Sequence, residues 1–363
     1  MKITFPHLGN VYIAGKSYLE ELGHEVIAPP RCSRKTLELG AKYSPEMMCL
    51  PFKIFIGNYI ESIEKGADTI IITGSCGPCR FGLYGMIQED ILRKLGYDAE
   101  IIVIEPPREG VKQFKENVGR FTGSNSIINI VKNIKPALDL IKMTDELTQF
   151  SNEIRAYAYD KSEVNNIMDN FYIEAVKTHG KKETLDLIKK TREDLNNIKL
   201  DKNHNPIKIG IIGEIYTIIE PFVNLEIERK LGNMGVLVEK SLTPTKWFEH
   251  HVYSYPFGSK EENMKLKLAK PYLETLVGGH GRETVGSVIY YNNIGYDGVI
   301  QILPLNCMPE IVAKSILKTV NKDLDFPIMT LVVDEMTGEA GYLTRLEAYV
   351  DLIKRRKEKI AIG

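Results

Sequence analysis

The segment Asp68-Thr-Ile-Ile-Ile-Thr-Gly-Ser-Cys-Gly-Pro-Cys-Arg-Phe-Gly82 joins a β-branched apolar run to a turn that carries two thiols. The run predicts a buried strand, and the turn presents Cys76 and Cys79 at the carboxyl end of that strand. Open α/β sheets keep their binding groups at the carboxyl ends of their strands. The segment therefore predicts a parallel α/β sheet with its chemistry at that edge.

The same alternation of short β-branched runs and amphipathic helices continues on both sides of this segment. It stops at a polar stretch, where apolar residues recur at three- and four-residue steps and predict several helices. The alternation resumes at Ile207. We therefore predict an α/β protein with two Rossmann-like doubly wound parallel-sheet domains, at 1–112 and 204–363, and a helical insert at 113–203.

Four of the five cysteines fall at junctions that lead into predicted helices. Besides Cys76 and Cys79, Cys49 precedes a predicted helix at 54–64, and Cys307 stands between a predicted strand at 298–303 and a helix at 310–319. The N-terminus of a helix stabilises negative charge by about 0.3–1 kcal/mol, which favours thiolates. These positions predict a metal centre with anionic sulfur ligands.

The spacing of the cysteines favours an iron-sulfur cluster over zinc. A lone C-x-x-C also occurs in redox pairs and in zinc half-sites, and both alternatives stay open. Zinc sites usually take a second close pair, which the sequence lacks, and none of the seven histidines stands at ligand spacing from a cysteine along the chain. Iron-sulfur clusters accept one close pair together with dispersed single cysteines.

Composition narrows the class of protein. The formal net charge is −1 with charged residues at 26%, and the basic residues are spread out, so no nucleic-acid surface is predicted. No apolar stretch approaches the roughly 20 residues that span a bilayer, and the N-terminus does not read as a signal peptide. We expect a cytoplasmic protein with neither a membrane anchor nor disulfide bonds.

Two glycine-containing segments of the second half are candidate ligand contacts. Glu214, after the predicted strand at 207–212, has either a helix-capping role or a ligand role, and the phosphate-loop pattern is missing there. The segment Gly278-Gly-His-Gly-Arg-Glu283 predicts a solvated loop, with an anion contact through His280 and Arg282 as the alternative.

An ordered series of motifs resembles the 2-hydroxyacyl-CoA dehydratase and benzoyl-CoA reductase superfamily, and more narrowly its branch of CoA protein activase, or acyl-CoA dehydratase activase-related, proteins. The motifs span about three-quarters of the chain and include Cys49-Leu-Pro-Phe-Lys53, Gly74-Ser-Cys-Gly-Pro-Cys-Arg-Phe-Gly-Leu-Tyr84, Gly213-Glu214 with Pro221-Phe-Val-Asn224, and Asp334-Glu-Met-Thr-Gly-Glu-Ala-Gly-Tyr-Leu-Thr-Arg-Leu-Glu347.

The resemblance implies an iron-sulfur protein that works anaerobically, with Cys49, Cys76, Cys79 and Cys307 as ligands of a [4Fe-4S] cluster. A double-cubane cluster is the alternative, although it calls for more thiolates than one chain offers. The resemblance also implies a separate ATP-hydrolysing activator protein as electron donor, a homodimer or a paralogous subunit as partner, and an acyl-CoA or other small substrate. The chain itself lacks the phosphate-binding signatures of an ATPase.

Candidate proton-handling or polarising groups near the cluster are Lys53, Arg80, Glu214 and Glu335, each explained equally well as a cap or a surface pair. The sequence departs from its relatives at two positions. Met336 stands where relatives commonly carry histidine, which removes a candidate proton donor, and Cys32 stands where they usually carry no thiol.

Three functions therefore remain open. The first is an iron-sulfur dehydratase or reductase component, which includes a double-cubane-type reductase of small molecules. The second is a non-catalytic electron-transfer or cluster-carrying accessory protein, and the third is a zinc-stabilised binding module.

Overall fold

The computed structural model describes residues 1–74, 78–105, 111–123, 127–253 and 258–362 of the chain. The chain divides into two compact units, each with one four-stranded, all-parallel sheet. Unit 1 comprises Met1–Asp145 and Phe171–Lys189, and unit 2 comprises Glu146–Asn170 and Lys190–Gly363. The predicted α/β class with two Rossmann-like parallel sheets is confirmed.

The sheet of unit 1 has the strand order β2-β1-β3-β4. Its strands are β1 (Lys2–Thr4), β2 (Glu25–Val26), β3 (Thr69–Thr73) and β4 (Glu100–Ile104). The helices from the N-terminus through the polar stretch are α1 (Val11–Glu21), α2 (Arg34–Tyr43), α3 (Leu50–Glu64), α4 (Tyr84–Lys94), α5 (Val111–Thr122), α6 (Ile127–Tyr157), α7 (Lys161–Ala175) and α8 (Gly180–Asn196). Helices of the predicted insert contribute to both units.

The sheet of unit 2 has the equivalent order β6-β5-β7-β8. Its strands are β5 (Lys208–Gly213), β6 (Leu237–Lys240), β7 (Gly298–Pro304) and β8 (Ile328–Val333). Its later helices are α9 (Ile215–Ile219), α10 (Ile227–Asn233), α11 (Pro244–Phe248) with a π-helical turn at Glu249–Tyr253, α12 (Lys260–Ala269), α13 (Gly281–Asn293), α14 (Met308–Leu324) and α15 (Glu339–Ile362).

Helix α3 is the most deeply buried helix of unit 1, with residues 50–62 all buried. Its sequence is apolar around nearly its whole circumference, which is typical of a helix enclosed by other elements. It packs closely against α2, because Gly40 and Gly57 leave room for the backbone of the facing helix: a Cβ at Gly40 would collide with the Lys53 carbonyl, and one at Gly57 with the Thr36 carbonyl. The close packing holds the start of α3 in place.

In unit 2 the central strand β7 is buried along its whole length. Tyr349 of α15 is buried against it, and its hydroxyl donates to the carbonyls of Val299 and Pro327, each at 2.8 Å. A side chain on Gly298 would collide with this hydroxyl, so glycine is required there. None of the helices in the described part of the chain is long and apolar enough to cross a bilayer.

Candidate functional site

In each unit, the chain leaves two adjacent central strands toward opposite edges of the sheet. Open α/β sheets bind their ligands beside such a reversal, at the carboxyl ends of the strands. The two strands are β1 and β3 in unit 1, and β5 and β7 in unit 2. The segment with Cys79 follows β3, and Cys307 follows β7. Both units therefore carry cysteine where their fold places ligands.

Cys49 is the N-cap of α3, with an extended backbone (φ −66°, ψ 154°). Its carbonyl accepts the first helical hydrogen bond, from the N–H of Phe52 at 3.0 Å. Pro51 lies in the first turn, where a missing N–H costs nothing. The thiol therefore lies beside N–H groups and a helix dipole that stabilise a thiolate.

Cys79 is likewise the N-cap of a short 3-10 turn, Arg80–Leu83, which leads directly into α4. The Arg80 Nη1 donates to the Met47 carbonyl at 2.8 Å, just before Cys49. The hydroxyl of Tyr84, the first residue of α4, lies 2.6 Å from Cys49 Sγ. The two segments that carry Cys49 and Cys79 therefore contact each other directly.

Cys76 lies outside the described residues, so its predicted ligand role stays a prediction. Lys53 is on α3, four residues after Cys49, and is only 4% exposed. Residues four apart lie on the same face of a helix, so Lys53 lies on the same face of α3 as Cys49. Arg80 donates to the backbone carbonyl of Met47, and its predicted catalytic role stays a prediction.

Glu105 is a residue of this edge that the sequence reasoning missed. It follows β4, whose Ile104 is in register with Thr73 of β3, so it lies beside Gly74 at the start of the cysteine turn. A side chain on Gly74 would collide with the Glu105 carboxyl. Burial raises the pKa of Glu105, and its Oε2 has no hydrogen-bond partner among the described residues. The sequence signal that could have indicated Glu105 is its position, as a polar residue directly after the strand next to β3.

Cys32 and His7 also meet in unit 1, although they are distant in sequence. A ring nitrogen of His7 lies within 4.8 Å of Cys32 Sγ. The buried Asn58 side chain joins the two residues, because its Oδ1 accepts from the backbone N–H of His7 at 3.3 Å and lies 3.7 Å from Cys32 Sγ. Along the sequence, no histidine stands at ligand spacing from a cysteine. His7 and Cys32 come close because β1 and β2, the strands that precede them, are paired in parallel.

In unit 2, Cys307 is the N-cap of α14 and is 9% exposed. Glu310, one turn further on, is 1% exposed and accepts from the Thr284 hydroxyl at 2.8 Å and from the Gln301 amide at 2.9 Å. Burial raises the pKa of Glu310 to about 7, with the nearby carboxylates of Glu214 and Glu283 acting in the same direction. The protonated form of Glu310 is therefore accessible near neutral pH, one helical turn after Cys307.

The segment at 278–283 is only in part the solvated loop that its glycines predict. Gly279 is exposed, whereas Gly278 and Gly281 are buried, and Gly281 begins α13. A side chain at Gly281 would collide with the Pro309 carbonyl, so α13 begins against the start of α14. Burial lowers the pKa of His280 to about 4, so this residue is neutral at pH 7 and supplies no positive charge for an anion.

Glu214 has the capping role that was one of its two interpretations. Its carboxylate accepts from the N–H groups of Tyr216 and Thr217, at 3.0 and 2.9 Å, where α9 begins. Burial raises its pKa in spite of these hydrogen bonds. Glu335 is partly buried in the turn after β8, at the same sheet edge as Cys307, and the adjacent Met336 is 82% exposed.

The fold and the site together define a two-unit parallel α/β protein whose sheet edges present cysteines at the starts of helices. The family model of the 2-hydroxyglutaryl-CoA dehydratase D-component matches residues 16–353, and the chain belongs to this family. The resemblance to the 2-hydroxyacyl-CoA dehydratase superfamily is thereby confirmed, and the chain is a component of the 2-hydroxyacyl-CoA dehydratase type. No curated protein matches it.

Proposed function

We propose that the chain is the iron-sulfur component of a 2-hydroxyacyl-CoA dehydratase-type system, which transfers low-potential electrons to a small substrate. The family match supports the class of protein. The observation that carries the proposal is the contact between the segments of Cys49 and Cys79, made by Tyr84 and Arg80. It brings two thiols from distant parts of unit 1 to one edge of the sheet.

The residues of this edge fit an iron-sulfur cluster in their chemistry. Thiolates are the ligands that hold such clusters, and both described thiols lie at helix starts that favour the anionic form. We propose Cys49, Cys76, Cys79 and Cys307 as ligands of a [4Fe-4S] cluster. The buried Glu105 Oε2 beside Gly74, which has no hydrogen-bond partner in the part of the chain that the structure describes, is a further polar atom available to a group bound there.

The bound cluster would supply single low-potential electrons, and the protein would supply orientation and proton control. Glu105 is the proposed proton-handling group of unit 1, because its carboxyl lies at the start of the cysteine turn and burial raises its pKa. Glu310 has the equivalent property beside Cys307 in unit 2. Lys53 is buried one turn beyond Cys49 and would offset part of the negative charge of the thiolates.

A separate ATP-hydrolysing activator is the proposed electron donor, and a second copy or a paralogous subunit is the proposed assembly partner. The substrate is an acyl-CoA or another small molecule. Met336 favours a second candidate, an accessory electron-transfer protein, because a thioether that is 82% exposed cannot deliver a proton as histidine would.

The test is anaerobic purification followed by iron and sulfide analysis and EPR of the reduced protein. We expect about four irons and four sulfides per chain, and reduction that depends on ATP and the activator. Colourless protein with one tightly bound zinc would contradict the proposal and would select the zinc-stabilised module. Substrate turnover separates a catalytic component from an accessory protein.

A further inference from the structure

The hydroxyl of Tyr84 and the sulfur of Cys49 form the closest contact described at the cysteine edge of unit 1. The Oη–Sγ distance is 2.6 Å, and Tyr84 is 2% exposed. The two residues come from different helices, because Tyr84 begins α4 whereas Cys49 is the N-cap of α3.

Three aromatic rings fix the direction of the Tyr84 hydroxyl. Phe52, Phe55 and Phe81 meet the Tyr84 ring edge-on, at centroid distances of 5.0, 6.0 and 4.9 Å. Phe52 and Phe55 are on α3 itself, so the helix that Cys49 caps also holds the ring. Such packing permits little rotation, and the hydroxyl stays aimed at the sulfur.

The direction of the hydrogen bond follows from the chemistry of the sulfur. A thiolate has no proton, so the Tyr84 O–H is the only donor available between the two atoms once Cys49 is ionised. Hydrogen bonds to ligand sulfurs stabilise the reduced, more negative form of an iron-sulfur centre and raise its reduction potential.

We propose that Tyr84 is a positioning residue whose hydroxyl donates a hydrogen bond to the Cys49 thiolate, raises the reduction potential of the centre and slows the loss of the centre. The inference rests on the proposed function, since it requires a centre bound through Cys49. Tyr84 takes no part in electron or proton transfer to substrate in this proposal.

The chain offers a matched control on α3. Tyr59 is 0% exposed, its hydroxyl has no hydrogen-bond partner among the described residues, and its ring contacts Phe55, which also contacts Tyr84. Tyr59→Phe and Tyr84→Phe therefore remove the same atom from the same aromatic cluster. Only the second substitution removes a contact to sulfur.

The experiment compares the wild-type protein with Tyr84→Phe and Tyr59→Phe, all loaded with iron under anaerobic conditions. We expect Tyr84→Phe to change the ratio of oxidised to reduced protein at a fixed potential by up to about tenfold toward the oxidised form, where tenfold corresponds to 59 mV for one electron. Its iron should also pass to a chelator several times faster. Tyr59→Phe should match the wild type in both measurements.

Two outcomes would overturn the inference, and the iron count distinguishes them. Full iron content with Tyr84→Phe equal to Tyr59→Phe in both potential and release rate would show that the hydroxyl does not act on the centre. Absence of iron from the wild-type protein would remove the proposed function, and the inference with it.

Discussion

The side-chain amide of Gln301 donates to the carboxylate of Glu310 at 2.9 Å, inside unit 2. Gln301 lies on the fully buried strand β7, and its side-chain amide oxygen, Oε1, accepts from the Thr330 hydroxyl at 3.0 Å. The amide is therefore fixed in one orientation. Glu310 is therefore held in the core by hydrogen bonds from uncharged groups, which would not neutralise a negative charge on its carboxylate.

Burial of Glu310 predicts a loss of stability as the pH rises. The pKa is raised from 4.5 to about 7 in the folded protein, so between these values the folded state binds the proton that the unfolded state has released. The free energy of unfolding therefore has its full value, as far as Glu310 is concerned, below pH 4.5. It falls by roughly 3 kcal/mol in total as the pH rises to about 7.

Glu310→Gln should remove this dependence, because the amide resembles the protonated acid and the Thr284 hydroxyl can accept as well as donate. Urea unfolding at pH 5 and pH 8 should show that the variant gains stability relative to the wild type as the pH rises. Glu347→Gln, on the exposed face of α15, is the control. Parallel curves for all three proteins would contradict the assignment.

The cysteines should differ in their effect on iron content. Cys49→Ser and Cys79→Ser should each lower it severely, because their helix starts contact each other and neither thiol has a neighbouring substitute described at this edge. The same loss is predicted for Cys76→Ser, and a weaker one for Cys307→Ser. Cys32→Ala should retain its iron and its EPR spectrum, and a changed spectrum would make Cys32 a ligand.

Gly57→Ala should destabilise unit 1. The new Cβ would collide with the Thr36 carbonyl of α2, and backbone cannot yield as a flexible side chain does. We expect a loss on the order of 1–3 kcal/mol in urea unfolding. Gly341→Ala, in α15 with open space around it, should instead gain about 0.4–1 kcal/mol. Equal effects of the two substitutions would argue against close packing of α2 and α3.

Lys265 is fully buried, and its ammonium donates to Glu262 Oε1 at 2.6 Å and to the Ser241 carbonyl at 3.0 Å. Lys265→Met should cost about 3–5 kcal/mol, because Glu262 is then left buried without its cation. The double variant Lys265→Met/Glu262→Gln should recover part of this loss. The exposed Lys267→Met on the same helix should be close to neutral, and additive effects in the double variant would show that the pair is not coupled.

Much of the architecture was predictable because it depends on local patterns. The β-branched run at 68–73 predicted β3, and the runs near 207, 298 and 328 predicted β5, β7 and β8, since buried parallel strands are continuously apolar. The junction positions of Cys49 and Cys307 followed from the same periodicity, and both residues are N-caps. The segment at 278–281 was predicted only in part: Gly279 is exposed, but Gly281 allows the close approach of α13 to α14.

The sequence by itself determined the order of strands and helices, the junctions that carry the thiols, and the membership of a family. Periodicity and turn chemistry act over a few residues and can be read without knowing the neighbours. Only the tertiary structure decided that Tyr84 meets Cys49, that Glu105 lies beside Gly74 and that His7 lies near Cys32. These pairs depend on which strands are adjacent and on their register. Packing of the whole sheet and its helices fixes both, so neither can be read from a single segment.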